Sequence, residues 1–575
     1  MSGGSRREFF RQCAALAVGS LITIDATRRL RIERRADSSS LHKLAEGELF
    51  RGLSLLRVGA EMAFTDSSSL VRKGDLRFRL RTKKGAFRNP EAYSIRMTSD
   101  CIEFLAGTEV GLLYSVFDFL QHQGAYFGLG GESYPPEERR SLLTPTEGAS
   151  WEAQPRFAVR GLLPWSNFLN GITVYNEEDF RSYFEALLRM RLNTFGMHVY
   201  SSPESTFAGT ESYLSFEFAG SGHASFLDTT ATERWGFLPR RTSRYSMGAA
   251  EFFSDDVFGS DAMLGRTPWE TAENTRNLLR WAFSYAKSLG IATGVGFEPY
   301  QLPSAIHRAL PPEIKPRAGK AYPGGAQFDV ESITARRLLE ARLGDLLEAY
   351  PDVNYVWLWE DEGMNWESRK TGVPLSLTPF QQAYDFLKRH APAKRMVVSG
   401  WGGVVRHFEY FHERLPKDII FSCLSDSLGW DPVSDAFSKL EGRERWPIPW
   451  IEDDPSMWLP QFHVNRLRDD IDRAERFGCQ GILGIHWRNR IVDATAGYLA
   501  RAAWDSELTA ASHFDNYAHS QSVGERAAHL GTLLNETDLH QNLLHTGAEE
   551  TQGGHMAVRR TMMKVFSSGA RAKCP

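Results

Sequence analysis

Beyond residue 155 the chain alternates short apolar runs with helical segments, and this pattern constrains the fold more than any other feature. The runs are continuous rather than alternating, as expected for parallel strands that are buried on both faces. Eight strands are predicted, at 157–163, 192–199, 291–297, 355–359, 396–399, 419–423, 448–451 and 481–486. Eight strand–helix units in succession predict an α/β fold, a (β/α)8 TIM barrel over 151–507, rather than an open doubly wound sheet.

Start and stop signals support several of the intervening helices. Thr267 precedes Pro268 and Glu270, an arrangement that predicts an N-cap, a proline in the first turn and a capping-box glutamate. Gly290 then ends that helix before the third strand. Thr378 begins a similar pattern before the fifth strand, whereas the segment between the sixth and seventh strands has the weakest helical pattern. No GxGxxG motif follows the first strand, which disfavours a dinucleotide-binding fold.

Other regions flank or interrupt the barrel. The basic, serine-rich residues 28–44 predict a linker, and 45–150 a small α/β domain with strands at 93–97 and 101–105 and a helix at 111–120. Residues 508–575 predict a helical, partly disordered tail. A Gly/Ser/aromatic insertion at 200–266 follows the second strand, so we expect it on the catalytic rim of the barrel.

The first 27 residues resemble a Tat-type export signal. Arg6 and Arg7 form a twin-arginine pair, and a mild apolar run follows at 13–24. This predicts export through the Tat route, to the periplasm or outside the cell. The cleavage site near 25–27 is weak, so retention as an anchor and a chance arginine pair are the alternatives. No other segment is long and apolar enough to span a membrane, and no stable insertion is expected beyond the signal segment.

Composition excludes several classes of function. The net charge of −4 gives no polyanion-binding surface, so nucleic acid is not an expected partner. The five cysteines are scattered, with neither a CxxC pair nor zinc-ligand spacing, so a disulfide framework and a structural zinc site are not expected. No cofactor is expected. Aromatic residues make up 12% of the chain, which suits either a cleft that stacks sugar rings or a large core.

In a TIM barrel the reacting groups lie where strands end and loops begin. Acidic residues and tryptophans recur at these positions, with a tryptophan at six of the eight strand ends. The candidate substrate-binding residues chosen in this way are Trp165, His198, Glu298, Trp359, Trp401, Trp450, Asp453, Trp487 and Arg488. The tryptophans could stack on sugars or pack the barrel end. The acidic run at 450–454 could contact sugar hydroxyls or a hard cation, but it lacks regular metal-ligand spacing.

The acids after the fourth strand are the candidate catalytic residues. Glycosidic bond cleavage needs a proton donor for the leaving oxygen and a negative partner for the oxocarbenium-like centre, and carboxyl groups supply both. Glu360, Asp361 and Glu362 leave an apolar strand together, and partial desolvation there would raise the pKa of one carboxyl group, as a general acid requires. The alternative is an acidic loop that caps the next helix.

A family resemblance supports this choice. Residues 355–366 have the sequence YVWLWEDEGMNW, which resembles the strand-four signature of glycoside hydrolase family 20, the β-N-acetylhexosaminidases. That signature has an Asp-Glu pair after an apolar strand and a tryptophan a few residues on. Residues 157–163 are similar to the first strand of the family, and 192–199 to its second strand, where His198 matches the second His of a His-Trp-His triplet. Residues 93–134 resemble the small domain that precedes the barrel in family 20 and in the family 67 α-glucuronidases.

The resemblance implies a distant relative that is an exo-acting, retaining hexosaminidase. Glu362 would be the general acid/base, and Asp361 would orient the 2-acetamido group whose oxygen is the nucleophile. Arg160 would bind sugar hydroxyls. The chain departs from the family pattern where Glu360 replaces a glycine, and where Trp487-Arg488 stands in place of a hydroxyl-binding acid on the eighth strand.

Two other functions stay open at this point. Arg488 could hold a uronic carboxylate by a bidentate contact, which would suit an exo-uronidase with Glu298, Glu452 or Asp453 as base; a neutral-sugar glycosidase is the related possibility. Arg488 could instead form a structural ion pair with Asp493 or a barrel acid. A non-catalytic carbohydrate-binding protein on a barrel scaffold is the alternative of another class, and the intact Asp361-Glu362 pair argues against it.

Overall fold

A computed structural model describes residues 29–34, 38–56, 61–66, 74–135, 148, 150–165, 172, 175–199, 268–300, 330–361, 374–452, 460–521 and 523–548. The chain forms two compact units. The described part of the first lies before residue 127 and at 132–154 and 519–524, and that of the second at 127–131, 155–518 and from 525. The predicted signal segment 1–27 and the insertion 200–266 lie outside the described residues.

The first unit is a mixed sheet with two helices. Its elements are β1 (Leu30–Arg34), α1 (Ser40–Leu55), β2 (Met62–Asp66), β3 (Leu76–Thr82), β4 (Tyr93–Met97), β5 (Cys101–Ala106), α2 (Glu109–His122) and β8 (Ser150–Ala153). The short strands β6 (Tyr126–Gly128) and β7 (Gly131–Ser133) form a separate two-stranded sheet, and their residues 127, 128 and 131 belong to the second unit. The sheet order is β2-β1-β3-β5-β4-β8, parallel except that β4 is antiparallel to β5 and β8. The strands predicted at 93–97 and 101–105 and the helix predicted at 111–120 are confirmed.

The linker predicted at 28–44 is wrong. Residues Leu30–Arg34 form β1, and α1 begins at Ser40 after Ser39 caps its first turn by accepting from the His42 backbone N–H at 3.2 Å. Leu30 and Ile32 are buried and alternate with charged residues, which is the period of a strand with one buried face. The high proportion of arginine and serine concealed that alternation.

The second unit contains eight parallel strands in the order β15-β14-β13-β12-β11-β10-β9-β16. These strands are β9 (Val159–Pro164), β10 (Thr194–Val199), β11 (Ala292–Phe297), β12 (Tyr355–Trp359), β13 (Arg395–Ser399), β14 (Ile420–Leu424), β15 (Arg445–Ile448) and β16 (Gly481–His486). The barrel closes where the Ile451 backbone N–H donates to the Ile485 carbonyl at 3.0 Å, beside a bridge between Trp450 and Ile485. The predicted TIM-type α/β fold is therefore confirmed.

The seventh strand begins at Arg445, three residues before the predicted start at 448. Pro447 lies inside it, and proline removes a backbone N–H that a central strand would use. β15 pairs with β14 on one side. On its other side, the contact that closes the barrel lies beyond the strand end, at Trp450 and Ile451, so the N–H that Pro447 lacks is tolerated.

Helices connect the barrel strands along most of the sequence. They are α3 (Glu177–Arg189), α4 (Pro268–Ser288), α5 (Ile333–Ala349), α6 (Leu377–His390), α7 (Phe408–Arg414), α8 (Val464–Arg476) and α9 (Asp493–Ala502). The predicted start at Pro268 is confirmed. Helix α6 begins at Leu377 after Ser376, so Thr378 lies in its first turn and is not the predicted N-cap. Short 3-10 turns at Ser427–Gly429 and Asp435–Lys439 stand between β14 and β15, where the helical pattern was weakest.

The last described residues form helices, as predicted for the first part of the tail. Helix α10 (Ala510–Ser520) and a 3-10 turn at Gly524–Arg526 precede α11 (Ala527–Ala548). The carboxylate of the buried Asp538 accepts from the Asn465 backbone N–H at 2.8 Å, so α11 satisfies the first turn of α8. The sequence predicts disorder after residue 545, but α11 continues to Ala548; residues 549–575 lie outside the described part. No described helix combines the length and apolar character needed to cross a bilayer.

A large indole fills the barrel interior because glycines make room for it. Trp357 of β12 is fully buried, and a Cβ added at Gly196 would lie 2.7 Å from its ring, or at Gly296 2.5 Å from its Cβ. Pairing sets Gly196 beside Gly294 and Gly296 beside Trp357. Since alternate residues of each strand face the axis, His198, Glu298 and Trp359 occupy the next layer towards the carboxyl ends.

Candidate active site

Glu298 lies at the centre of the predicted site. It follows β11 and is fully buried, as is His198 on the adjacent strand. The indole N–H of Trp401 donates to Glu298 Oε1 at 3.3 Å, and His198 Nε2 lies 3.5 Å from the same oxygen. The ends of the second, third and fifth barrel strands therefore meet at one carboxylate.

His198 is neutral in this environment. Its ring stacks on Trp165 with centroids 4.4 Å apart and planes at 6°, and it meets the edge of Trp359 at 4.8 Å. Burial lowers the pKa of His198 well below its usual value, and the charge of Arg342 lowers that pKa further. A neutral imidazole can position Glu298 or a substrate hydroxyl, but it does not supply positive charge.

Tryptophans form a continuous aromatic layer around this pair. Trp165 lies 5.4 Å from Trp359, 5.5 Å from Trp401 and 6.3 Å from Trp487, and Trp487 lies 5.6 Å from Trp450. Four of these rings are buried and Trp401 is half-buried. The sequence left stacking and packing open; the buried four pack the barrel end, and Trp401 retains surface on which a ligand could stack.

Asp361 is a buried carboxyl group two residues beyond β12. Its Oδ1 accepts from the Tyr300 backbone N–H at 3.1 Å. Burial raises the pKa of Asp361 well above its ordinary value, and repulsion from Glu298 and Glu360 raises that pKa further. The hydrogen bond from the Tyr300 N–H and the charge of Arg342 lower it. Asp361 therefore stays protonated at pH values where an exposed aspartate is ionised.

Of Glu360, Glu362 and Asp453, only Glu360 lies among the described residues. Glu360 Oε1 accepts from the Ser376 hydroxyl at 2.9 Å, so this acid binds the residue that precedes α6. Glu360 thus contacts the N-cap residue of the next helix through its hydroxyl group. Glu362 and Asp453 lie outside the described residues, and their predicted roles stay predictions.

Arg488 is bound to an acid of the barrel. Glu452 Oε1 accepts from the backbone N–H groups of Trp487 at 2.7 Å and Arg488 at 2.5 Å, and its Oε2 accepts from Arg488 Nε at 2.6 Å. Burial raises the pKa of Glu452, and the Arg488 charge opposes that rise. The structural ion pair is thus present, with Glu452 rather than Asp493, and it binds the Arg488 Nε that a bidentate contact with a uronic carboxylate could use.

The assignment of Arg160 to hydroxyl binding is wrong. Its guanidinium donates to the Phe157 carbonyl at 2.8 Å and lies 4.8 Å from the Trp504 ring, at the amino end of β9. Val159, Leu163 and Trp165 belong to the interior cluster, so Arg160 points to the opposite face of the strand. It serves the helix layer at the end of the barrel remote from Glu298.

Arg342 is a site residue that the sequence analysis missed. It lies on α5, fully buried, and donates to the carbonyls of Glu298 and Pro299. Its position relative to the buried Leu338, Leu339 and Leu346 follows helical spacing, so it belongs to the buried face of α5. An arginine on an apolar helix face is the signal that could have identified it.

Among the described residues, no cluster of three or more His, Cys, Asp or Glu side chains could hold a metal ion. Cys101, Cys423 and Cys479 are buried free thiols, as predicted for scattered cysteines.

No protein-family model matches the sequence, and no curated protein matches it. Solved structures do match. A β-hexosaminidase from Streptomyces plicatus, a mutant in complex with its product GlcNAc, has a TM-score of 0.51 at 14% identity and covers 87% of this chain and 91% of that chain. A chitobiase from Flavobacterium johnsoniae has a TM-score of 0.52 at 14% identity and covers 88% and 70%.

Larger glycosidases match with similar scores. A family 138 glycoside hydrolase that targets pectin rhamnogalacturonan II has a TM-score of 0.54 at 10% identity; 89% of this chain spans 55% of that one. A family 115 4-O-methyl-α-glucuronidase with specificity for decorated arabinogalactans has a TM-score of 0.53 at 12% identity, covering 89% and 61%. The chain has the fold of glycoside hydrolases. The resemblance to family 20 is confirmed at the level of the fold.

Proposed function

We propose that this protein is an exo-acting glycoside hydrolase that cleaves a terminal N-acetylhexosamine with retention, by substrate-assisted catalysis. The observation that carries the proposal is the buried carboxyl of Asp361, beside Glu298, where the third and fourth barrel strands end. Acid–base cleavage of a glycosidic bond requires paired carboxyl groups in different environments, and burial together with repulsion from Glu298 raises the pKa of Asp361. A fold shared with glycosidases supports a carbohydrate substrate.

The chemistry proceeds in two steps. Glu362, which follows Asp361 in the sequence, gives its proton to the leaving glycosidic oxygen. The oxygen of the substrate's own 2-acetamido group attacks the anomeric carbon, and the carbon–oxygen bond to the leaving group breaks. Glu362, now a carboxylate, takes a proton from a water molecule whose oxygen attacks the anomeric carbon. The bond between that carbon and the acetamido oxygen breaks, and the second inversion gives net retention. Once ionised, Asp361 accepts the acetamido N–H and holds that group for attack.

Two features support a terminal sugar of this class. The buried tryptophans close the barrel end, which favours a pocket for one sugar over a groove for an internal segment, and the half-buried Trp401 offers a stacking surface. Arg488 is held by Glu452, which disfavours a uronidase that would use it to bind a carboxylate. We also propose export through the Tat route, on the Arg6-Arg7 pair.

Glu362→Gln should lower kcat/KM by about 100-fold or more on N-acetylhexosaminides with a poor leaving group, because a general acid is lost. Activity is measured on a panel of nitrophenyl and unactivated glycosides. Glu360→Gln is the matched control: glutamine keeps the oxygen that accepts from Ser376, so most activity should remain. Near-normal rates for Glu362→Gln on poor leaving groups would reject the assignment. Cleavage of uronides alone would favour the uronidase, and sugar binding without turnover the non-catalytic barrel.

Asp361→Ala should cause a large loss on N-acetylated substrates and a smaller one on the corresponding neutral sugars. The reason is that Asp361 orients the acetamido group that acts as the nucleophile, and a 2-hydroxyl group has no such role in the reaction. The comparison is kcat/KM for matched N-acetylglucosaminides and glucosides. Equal losses on both would remove the acetamido role and leave Glu298 as the candidate partner of Glu362.

A further inference from the structure

Arg342 fixes the backbone turn that follows β11. One terminal nitrogen, Nη1, donates to the Glu298 carbonyl at 2.6 Å and to the Pro299 carbonyl at 2.8 Å. The guanidinium also lies 4.2 Å from the centre of the Phe297 ring. Three consecutive residues at the carboxyl end of the third barrel strand therefore contact one buried side chain of α5.

That turn supplies both groups on which the proposed site depends. Glu298 points its carboxylate at Trp401 and His198, and the Tyr300 backbone N–H donates to Asp361 at 3.1 Å. Arg342 holds the carbonyls of Glu298 and Pro299, which lie along the backbone between the Glu298 side chain and the Tyr300 N–H. A shift of the turn would move the Glu298 carboxylate and the donor to Asp361 together.

Arg342 also supplies positive charge to the buried acids. Four groups act on the Asp361 carboxyl: Glu298 after β11, Glu360 after β12, the Tyr300 N–H in the turn and Arg342 on α5. The charged groups that act on Arg342 are Asp361, Glu298 and Asp345. Burial lowers the pKa of Arg342 to about 10, so it remains a cation at neutral pH. Its charge favours the ionised form of Asp361 against the repulsion of the two glutamates.

A second arginine shows what the same arrangement does away from the site. Arg443 is buried, donates to the carbonyls of Pro416 and Ile419 at 2.7 Å, and lies 4.0 Å from the Phe421 ring. These residues precede or begin β14, at the amino end of the barrel. A buried arginine thus holds backbone carbonyls at two places in the barrel, and Arg342 does so at the turn that contains Glu298.

We propose that Arg342 is a positioning residue for the hydrolysis: it holds the turn that aims Glu298 and the Tyr300 N–H, and it brings a buried positive charge to the site. The inference rests on the proposed function. It assigns to α5 the control of an acid pair that lies on two barrel strands. Asp361 accepts an acetamido N–H best as a carboxylate, so activity should rise with pH as Asp361 loses its proton.

The test separates charge from geometry by two substitutions. Arg342→Gln removes the charge, which raises the pKa of Asp361 further, so the acid limb of kcat/KM against pH should move upward by about one pH unit. Arg342→Lys keeps the charge but presents a single ammonium in place of the planar guanidinium, so the limb should stay near its normal position while kcat falls about tenfold. Arg443→Gln is the matched control and should lower Tm without moving the limb.

A readout independent of turnover decides between this inference and the proposed function. In protein labelled with 13C-carboxyl aspartate, the Asp361 signal is identified by its loss in Asp361→Asn, and its titration midpoint should rise in Arg342→Gln. If neither Arg342 variant changes the Asp361 titration midpoint or the acid limb of kcat/KM, and both lower Tm as Arg443→Gln does, then Arg342 has only a structural role. A raised midpoint in a protein that cleaves no glycoside would reject the proposed function and keep the charge role. If the Gln variant does not fold, an unaltered kcat in Arg342→Lys overturns the proposal.

Discussion

At the scale of single residues, burial decides the protonation of two acids in this protein. Asp361 is repelled by Glu298, whereas Asp470 of α8 has Arg466 and Arg473 nearby, and yet the pKa of each is raised. For Asp470, burial raises the pKa to about 7, although the Val433 backbone N–H donates to its Oδ1 at 2.7 Å. For Asp470, the loss of hydration raises the pKa more than the nearby arginines lower it. For Asp361, the loss of hydration and the repulsion from Glu298 both raise the pKa.

Asp470→Asn should therefore stabilise the protein at alkaline pH. The folded-state pKa lies above the unfolded value, so the stability conferred by the neutral carboxyl is present below about pH 4 and is lost as pH rises through 7. Asparagine keeps the oxygen that accepts from Val433 and does not ionise, so the variant should gain about 2 kcal/mol at pH 8 and little at pH 4. Urea unfolding at both pH values measures this.

The exposed Asp385 of α6 is the control for that comparison. Asp385→Asn should change the free energy of unfolding by less than about 0.5 kcal/mol at either pH, as is usual for surface substitutions. An equal gain for Asp470→Asn at pH 4 and pH 8 would show that packing, and not the proton, is responsible.

The accuracy of the site prediction also differs residue by residue. His198, Glu298 and Trp401 were found from strand ends alone, because parallel strands bring their carboxyl ends together. Arg160 was misplaced because a side chain's face depends on its position within the strand, and Arg160 alternates with the inward-facing Val159. Arg342 could not be found from strand ends, since it reaches the turn from a helix that begins 35 residues after Glu298, at Ile333.

At the scale of elements, the strands were predicted well where apolar runs were continuous. Errors arose where another property dominated the local sequence: Pro447 within β15, and charged residues alternating through β1. The pattern also does not show what fills the barrel. Trp357 fits because Gly196, Gly294 and Gly296 face the interior beside it, and this complementarity spans three strands that are distant in sequence.

Gly196→Ala should destabilise the barrel by about 1–3 kcal/mol. The added methyl would lie 2.7 Å from the Trp357 ring and 2.8 Å from Leu163 Cδ1, so packed groups on both sides must move. Thermal unfolding followed by tryptophan fluorescence measures the change. Gly344→Ala on α5 is the control: its methyl would meet only Phe386 at 3.9 Å, and alanine should raise helix stability by about 1 kcal/mol. Equal effects of the two substitutions would contradict interior packing as the cause.

At the scale of the whole molecule, the fold is shared more widely than the residues that line it. A chain only 14% identical to a hexosaminidase still matches 91% of its length, because strand order and buried volume can be kept while individual side chains change. The sequence could therefore predict the barrel from its apolar pattern. It could not predict that Glu452 holds Arg488, since that contact depends on strand-end geometry rather than on pattern.

The proposed export also concerns the whole molecule, because the Tat route carries proteins that have already folded. Replacement of Arg6 and Arg7 by lysine should keep the protein in the cytoplasm, since the twin-arginine pair is what the route recognises. Arg28 and Arg29 form a second adjacent pair outside the predicted apolar run, so their replacement by lysine is the matched control and should leave export intact. Immunoblots of periplasmic and cytoplasmic fractions measure the distribution. Because folding precedes passage, Gly196→Ala should also lower the exported fraction in proportion to its loss of stability. Equal export of the Arg6/Arg7 variant and the control would contradict the route.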